Sequence, residues 1–96
     1  MALKIVWTKR AENGYESIIK FLEKNWTEKE ITVFIQQTNY FFELLQQFPE
    51  ILQKSSKNRN VHRGPLNKHT IITYRINHRD QQIEIINIRS ARRKPL

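Results

Sequence analysis

Residues 66–90 read LNKHTIITYRINHRDQQIEIINIRS, and this stretch decides the fold. Two runs rich in β-branched and aromatic residues, 69–77 and 82–89, flank a polar turn of Asn77, His78, Arg79 and Asp80. Branched and aromatic side chains pack well on a pleated surface and short polar segments reverse the chain, so the stretch predicts a β-hairpin. In its first strand Thr70, Ile72, Tyr74 and Ile76 share one face, while Ile71, Thr73 and Arg75 share the other. Strict alternation in the second sets Ile83, Ile85, Asn87 and Arg89 against Glu84, Ile86 and Ile88. Each strand has one apolar or nearly apolar face and one mixed face. The expectation is a helix-covered side and a partly open side that bears arginines.

Working upstream, 61–66 reads as a third strand bent at Gly64 and Pro65, and the proline, which cannot donate to a ladder, suits an edge or a bulge. Residues 54–60 are polar, basic and without periodicity, which predicts an exposed loop and the natural place for mobility. Ile51 and Leu52 look like a short apolar latch behind Pro49.

The first half reads as one strand and two helices. Leu3, Ile5 and Trp7 alternate across 2–7, and Thr8 offers a hydroxyl to cap a helix. Ala11, Tyr15, Ile18, Ile19 and Leu22 then form an apolar stripe, interrupted by Gly14, which marks either close packing or a weak point. Thr27 and Glu30 have capping-box spacing, Trp26 and Ile31 hydrophobic-staple spacing. Ile31, Phe34, Ile35, Thr38, Phe41, Phe42 and Leu45 continue a second stripe until Pro49 ends it. So short a link between the stripes makes the helices an antiparallel hairpin. The predicted fold is α+β: an N-terminal strand, a two-helix hairpin, then a three-stranded antiparallel meander, with both helices on one face of a single sheet. Residues 1–96 are expected to form one domain.

Composition narrows the function. The chain has 96 residues, no cysteine and a formal net charge of +8. Disulfides and thiolate metal sites are therefore excluded, and no apolar run is long enough for a membrane helix, so a cytoplasmic protein is expected. Residues 1–50 carry a net −1 and residues 51–96 a net +9. That asymmetry points to an anionic partner. His62, His69 and His78 lack metal-ligand spacing, no pair of carboxylates is placed for acid–base work, and there is no glycine-rich phosphate loop. No cofactor or metal is expected. What remains is phosphate handling by cations, for which Arg59, His62, Arg63, Lys68, His69, Arg75, Arg89, Arg92 and Arg93 are the candidates. Among them a histidine could move a proton in RNA cleavage by the 2′-hydroxyl.

These features also carry a resemblance. Val6-Trp7-Thr8 leads into an alanine-containing helix, the second helix closes on Phe48-Pro49, and Tyr74-Arg75-Ile76 forms a strand. The last strand runs into Ala91-Arg92-Arg93-Lys94-Pro95. In this order they resemble the RelE/ParE superfamily of toxins from type II toxin–antitoxin modules. The resemblance implies a β-α-α-β-β-β toxin held in a hetero-oligomer by an acidic antitoxin that wraps it. The RelE-like branch, ribosome-dependent endoribonucleases acting on mRNA, commonly has an arginine three residues before the strand tyrosine and a tyrosine near the C-terminus. Here Ile71 stands at the first position and no tyrosine follows Tyr74. The Phe-Pro helix end and the basic finish are more similar to the ParE branch, whose studied members poison DNA gyrase and are not nucleases. The ParE-like reading makes Arg59, Arg63, Arg75, Arg89, Arg92 and Arg93 target-binding residues. A RelE-like enzyme would instead use His62, Arg63, Lys68, His69, Arg92 and Arg93 in catalysis. A basic binding module without toxicity, a decayed toxin, is the third reading.

Overall fold

The computed structural model describes residues 3–55 and 60–91. Its elements run β1 (Lys4–Trp7), α1 (Lys9–Asn25), α2 (Glu28–Gln47), β2 (Val61–Asn67), β3 (Thr70–Asn77) and β4 (Gln82–Ser90). The strands form one sheet in the order β1-β4-β3-β2, and the last three make the expected antiparallel meander. β1 joins parallel to β4: the helical hairpin carries the chain from β1 to β2 at the opposite edge, and the meander then runs back until β4 lies beside β1.

Both caps form where the sequence places them. The Thr8 hydroxyl accepts the Ala11 N–H at 3.2 Å at the start of α1. At the start of α2 the Glu30 carboxylate accepts the Thr27 N–H at 3.1 Å and the Thr27 hydroxyl as well. These bonds hold the Glu30 carboxyl below the usual carboxylate range, the Thr27 hydroxyl being the largest cause. α2 ends at Gln47, with the Phe48 N–H donating to the Leu44 carbonyl at 2.7 Å just before Pro49.

The helices cover one face of the sheet. Leu3, Ala11, Phe41, Leu45, Ile72, Tyr74, Ile76, Ile83, Ile85 and Ile88 make the buried core. A fully buried isoleucine is worth about 2 kcal/mol, so the strand isoleucines dominate the drive to close this layer. Trp7, Tyr15, Phe34 and Phe42 stack edge-on or face-on between the helices and β1, with ring centroids 5.3–5.4 Å apart. Burial raises the Tyr15 hydroxyl's pKa above its ordinary value, against a hydrogen bond with Thr38 that lowers it. Ile35 departs from its expected inward stripe and is 38% exposed, because the buried side of α2 is the narrower set Phe34, Thr38, Phe41 and Leu45. Of the expected latch, Leu52 packs against the core and Ile51 stays exposed.

Strict alternation fails in β4. The pairing runs from Thr73↔Asn87 to Tyr74↔Ile85, so Ile86 has no partner and the strand bulges there. The extra residue reverses the phase. Ile83, Ile85 and Ile88 all face the helices, while Asn87 and Arg89 turn to the open side with Glu84. α1 is fitted to this bulge. The Thr8 hydroxyl donates to the carbonyls of Ile85 (2.7 Å) and Ile86 (3.1 Å), and its N–H donates to Ile85 at 3.1 Å. Nearly two turns on, Gly14 lies against β4 so closely that a Cβ would sit 2.0 Å from the Ile88 carbonyl oxygen. Close packing, rather than a weak helix, explains this glycine.

β2 is an edge strand, and its register slips between Pro65 and Asn67, as the proline predicts. Its outer edge is partly covered by the segment that follows α2. Lys54 bridges to His62, the Ser55 N–H donates to the Val61 carbonyl at 2.7 Å, and the Arg63 N–H donates to the Gln53 carbonyl at 3.0 Å. Part of the expected 54–60 loop is therefore a strand-like strap, and residues 56–59 lie outside the described residues.

Candidate functional site

Residues directly opposite one another in a sheet point to the same side. The register sets Arg63 beside Thr73 and Asn87, Val61 beside Arg75 and Glu84, and Pro65 beside Ile71 and Arg89. Arg63, Arg75 and Arg89 thus share the face opposite the helices. Arg63 and Arg75 are exposed, Arg89 partly buried. The Arg75 guanidinium lies 3.6 Å from the Glu84 carboxylate, and such a solvent-exposed pair stabilises by at most about 1 kcal/mol. Its interest is positional: it holds Arg75 over the middle of the open face.

A groove of about 670 Å³ opens on this face, between the strap and the β2–β3 turn. Pro65, Gly64, Ile71 and Ala91 line it together with Lys54, Arg63 and Lys68 and the neutral polar groups of Gln53, Ser55 and Asn67. Among the described residues, no carboxylate, histidine or tyrosine lines it. The turn beside it is braced locally. The Asn67 side-chain Oδ1 accepts the His69 N–H at 2.8 Å, its Nδ2 donates to Gln37 Oε1 at 2.9 Å, and the Ala91 N–H donates to the His69 backbone carbonyl at 2.8 Å.

His62 leaves the candidate cluster. It faces the helix side of β2, is 2% exposed and stacks on Tyr74 with ring centroids 5.2 Å apart and planes 7° from parallel. Its Nδ1 lies 2.8 Å from the Leu52 carbonyl, an acceptor only, so that nitrogen carries the proton. The Tyr74 hydroxyl donates to the Pro49 carbonyl at 2.7 Å and accepts the Leu52 N–H at 3.4 Å. Burial pushes the Tyr74 hydroxyl up to about 12, the Leu52 bond lowering it and the Glu50 charge raising it. Together the two rings tie the strap to the sheet, and so hold the outer wall of the groove.

Of the candidates read from the sequence, Arg63, Arg75 and Arg89 lie together on the open face, and Lys68 stands at the groove rim. His69 sits exposed on the turn next to the groove, and Arg59, Arg92 and Arg93 lie outside the described residues. Sequence reasoning missed Lys54, Gln53 and the apolar floor. Lys54 reaches the groove only through its bridge to His62, and nothing in the local sequence signals that pairing.

A family model described as the ParE toxin of type II toxin–antitoxin system, parDE, matches residues 5–95. The chain belongs to the ParE toxin family. That membership makes it a RelE/ParE superfamily toxin of the type II class. The ParE-family chain shares its fold with the toxin–antitoxin complex RelBE2 from Mycobacterium tuberculosis. There the identity is 13%, covering 94% of this chain and 92% of that one, with a TM-score of 0.61. A conserved hypothetical protein from Helicobacter pylori aligns at 15% identity over 93% of this chain and 94% of that one, with a TM-score of 0.56. No curated protein matches the sequence. Among the described residues no helix is long and apolar enough to cross a membrane.

Proposed function

We propose that this ParE-family chain acts as one domain that arrests growth by binding DNA gyrase in the cytoplasm. An acidic antitoxin holds it inactive in a hetero-oligomer. The observation that carries this reading is the makeup of the open face. Arg63, Arg75 and Arg89 give it charge, while no histidine, carboxylate or tyrosine among the described residues lines its groove. A face rich in fixed guanidinium groups and poor in acid–base pairs suits docking better than cleavage. His62, the one buried histidine of the candidate set, spends its ring on the strap instead.

The strongly basic second half is the complement of an acidic antitoxin, and the exposed apolar side chains Phe21, Val33 and Tyr40 on the helices and Trp26 in the link between them give such a wrapper apolar anchorage. The direct test is binding. Purified protein and gyrase should co-elute on size-exclusion chromatography, and Arg63→Ala together with Arg75→Ala should abolish the complex. Separate elution of the wild-type protein and gyrase at micromolar concentrations would contradict the proposal.

One observation favours ribosome-dependent mRNA cleavage as a second reading: the Lys54, Arg63 and Lys68 groove with exposed His69 beside it. Primer extension after induction separates the two. Codon-linked mRNA ends support cleavage, and intact message during growth arrest supports the gyrase reading.

A further inference from the structure

In a chain that is 27% charged, residues 31–42 of α2 hold no charged side chain. The helix turns Phe34, Thr38, Phe41 and Leu45 inward. On its outer flank Lys29, Val33, Gln36, Tyr40 and Glu43 recur at steps of four, three, four and three residues. Such steps keep side chains on one stripe of a helix. All five are exposed, Val33 by 42% and Tyr40 by 63%. A surface helix ordinarily turns charge to water. The middle of this stripe turns a valine, an amide and a tyrosine ring to it instead.

The order of the stripe says what covers it. Lys29 and Glu43 stand seven residues either side of Gln36, and Val33 and Tyr40 stand three and four. The stripe is therefore complementary to its own reverse. In a second copy turned antiparallel about Gln36, each Lys29 meets a Glu43, each Val33 meets a Tyr40, and the two Gln36 amides meet one another. A two-fold axis sets nearby residues against their own kind. A charge there repels its copy, whereas an amide both donates and accepts and an apolar group packs. Among the described residues neither Lys29 nor Glu43 is in an ion pair within the chain. The formal +8 of the whole chain drives copies apart elsewhere, while Lys29 and Glu43 leave this stripe neutral. An acidic partner finds its cations on the sheet side, at Lys54, Arg63 and Lys68, and only one of them here.

We propose that two copies of the chain pack α2 against α2 antiparallel along this stripe, so that free toxin forms a two-fold dimer. From Lys29 to Glu43 the stripe is about 21 Å long at roughly 1.5 Å per residue, and a helix is about 10 Å wide. That footprint is well below the roughly 800 Å² per partner of a stable interface, so the dimer is weak and reversible. The arginine face of each copy stays open, because the helices lie on the other side of the sheet. Val33 and Tyr40 are also the antitoxin's anchorage in the reading above, so capture by the antitoxin separates the dimer. The inference is independent of the gyrase reading, because it concerns the chain alone.

The test is sedimentation equilibrium of the full chain at low salt, without antitoxin, from about 1 to about 500 micromolar. A reversible monomer–dimer equilibrium should appear, with a dissociation constant of tens to hundreds of micromolar, roughly what so small a footprint supports. Tyr40→Glu should weaken it more than about tenfold. Lys29→Glu and Glu43→Lys each set like charges together at both ends, and each should weaken it about five- to tenfold. The decisive sample is an equimolar mixture of these two variants. Every mixed dimer regains both opposite-charge contacts and should form about as readily as the wild-type dimer. Arg79→Ala, in the β3–β4 turn, should leave the equilibrium unchanged. Circular dichroism confirms that these exposed variants stay folded. A wild-type chain that stays monomeric throughout would overturn the proposal, as would a mixture no better than either variant alone, or a dimer indifferent to Tyr40→Glu. A monomeric wild type whose Tyr40→Glu variant loses affinity for an acidic antitoxin peptide would give the stripe to the antitoxin alone, and would overturn it as well.

Discussion

At Thr8 one hydroxyl accepts the Ala11 N–H and donates to the carbonyls of the β4 bulge, so a single side chain sets both the start of α1 and its seat on the sheet. Its capping role is visible in the sequence, because a threonine before an amphipathic run is a local signal. Its bulge contacts are not, because they span 77 and 78 residues. Thr8→Ala should cost about 2 kcal/mol, the sum of a cap and a bond to buried carbonyls, read as a lower urea midpoint with unchanged m-value. Gly14→Ala tests the close approach to Ile88. Alanine gains about 1 kcal/mol in helix propensity, yet a Cβ pressed on a backbone oxygen forces helix and strand apart, and net destabilisation of about 2 kcal/mol is expected by thermal melting. An equal or higher Tm would mean that the helix does not sit where it is described. Tyr74 gives a pH signature. Its folded-state hydroxyl holds its proton to about 12, above its ordinary 10.0, so the folded state binds the proton more tightly. The corresponding stability is complete below about pH 10 and is lost as pH rises towards 12. Tyr15 is shifted in the same direction, so Tyr74→Phe should reduce, not erase, the alkaline fall seen in denaturant titrations at successive pH values.

The elements themselves were legible from periodicity: β3 shows the clean alternation of Thr70, Ile72, Tyr74 and Ile76, and all four are buried. The span of β4 was legible too, but not the facing of its second half, because one unpaired residue at Ile86 inverts every later position and no local residue type announces it. That inversion brings Arg89 to the open side, so the face that gathers Arg63, Arg75 and Arg89 depends on the bulge. The strap was hidden for a related reason, since its order comes from buried partners on β2 and β3 rather than from its own polar sequence. Removing the Tyr74 hydroxyl should therefore loosen the strap first. In Tyr74→Phe the Ser55 and Arg63 amides should exchange faster, while the β3–β4 amides keep their protection. Uniform acceleration across the sheet would instead mean that the strap and the sheet open as one unit.

For the whole molecule, the layering separates two surfaces: helices with exposed apolar side chains, and a sheet face with arginines and a cationic groove. A wrapping acidic antitoxin that uses both should lose affinity only in part as salt rises, because apolar contacts persist where ionic ones are screened. Isothermal titration at low and high salt checks this, and complete release at high salt would leave the helices without a role in capture. In the proposed function the arginine face stops gyrase. Relaxed plasmid, purified gyrase and ATP, with and without the protein, test it most directly. Supercoiling should fail and cleaved plasmid complexes accumulate with the wild-type chain, while the Arg63→Ala and Arg75→Ala pair restores supercoiling. Supercoiling that proceeds unchanged at an excess of folded wild-type protein, with no cleaved complex, would contradict the account.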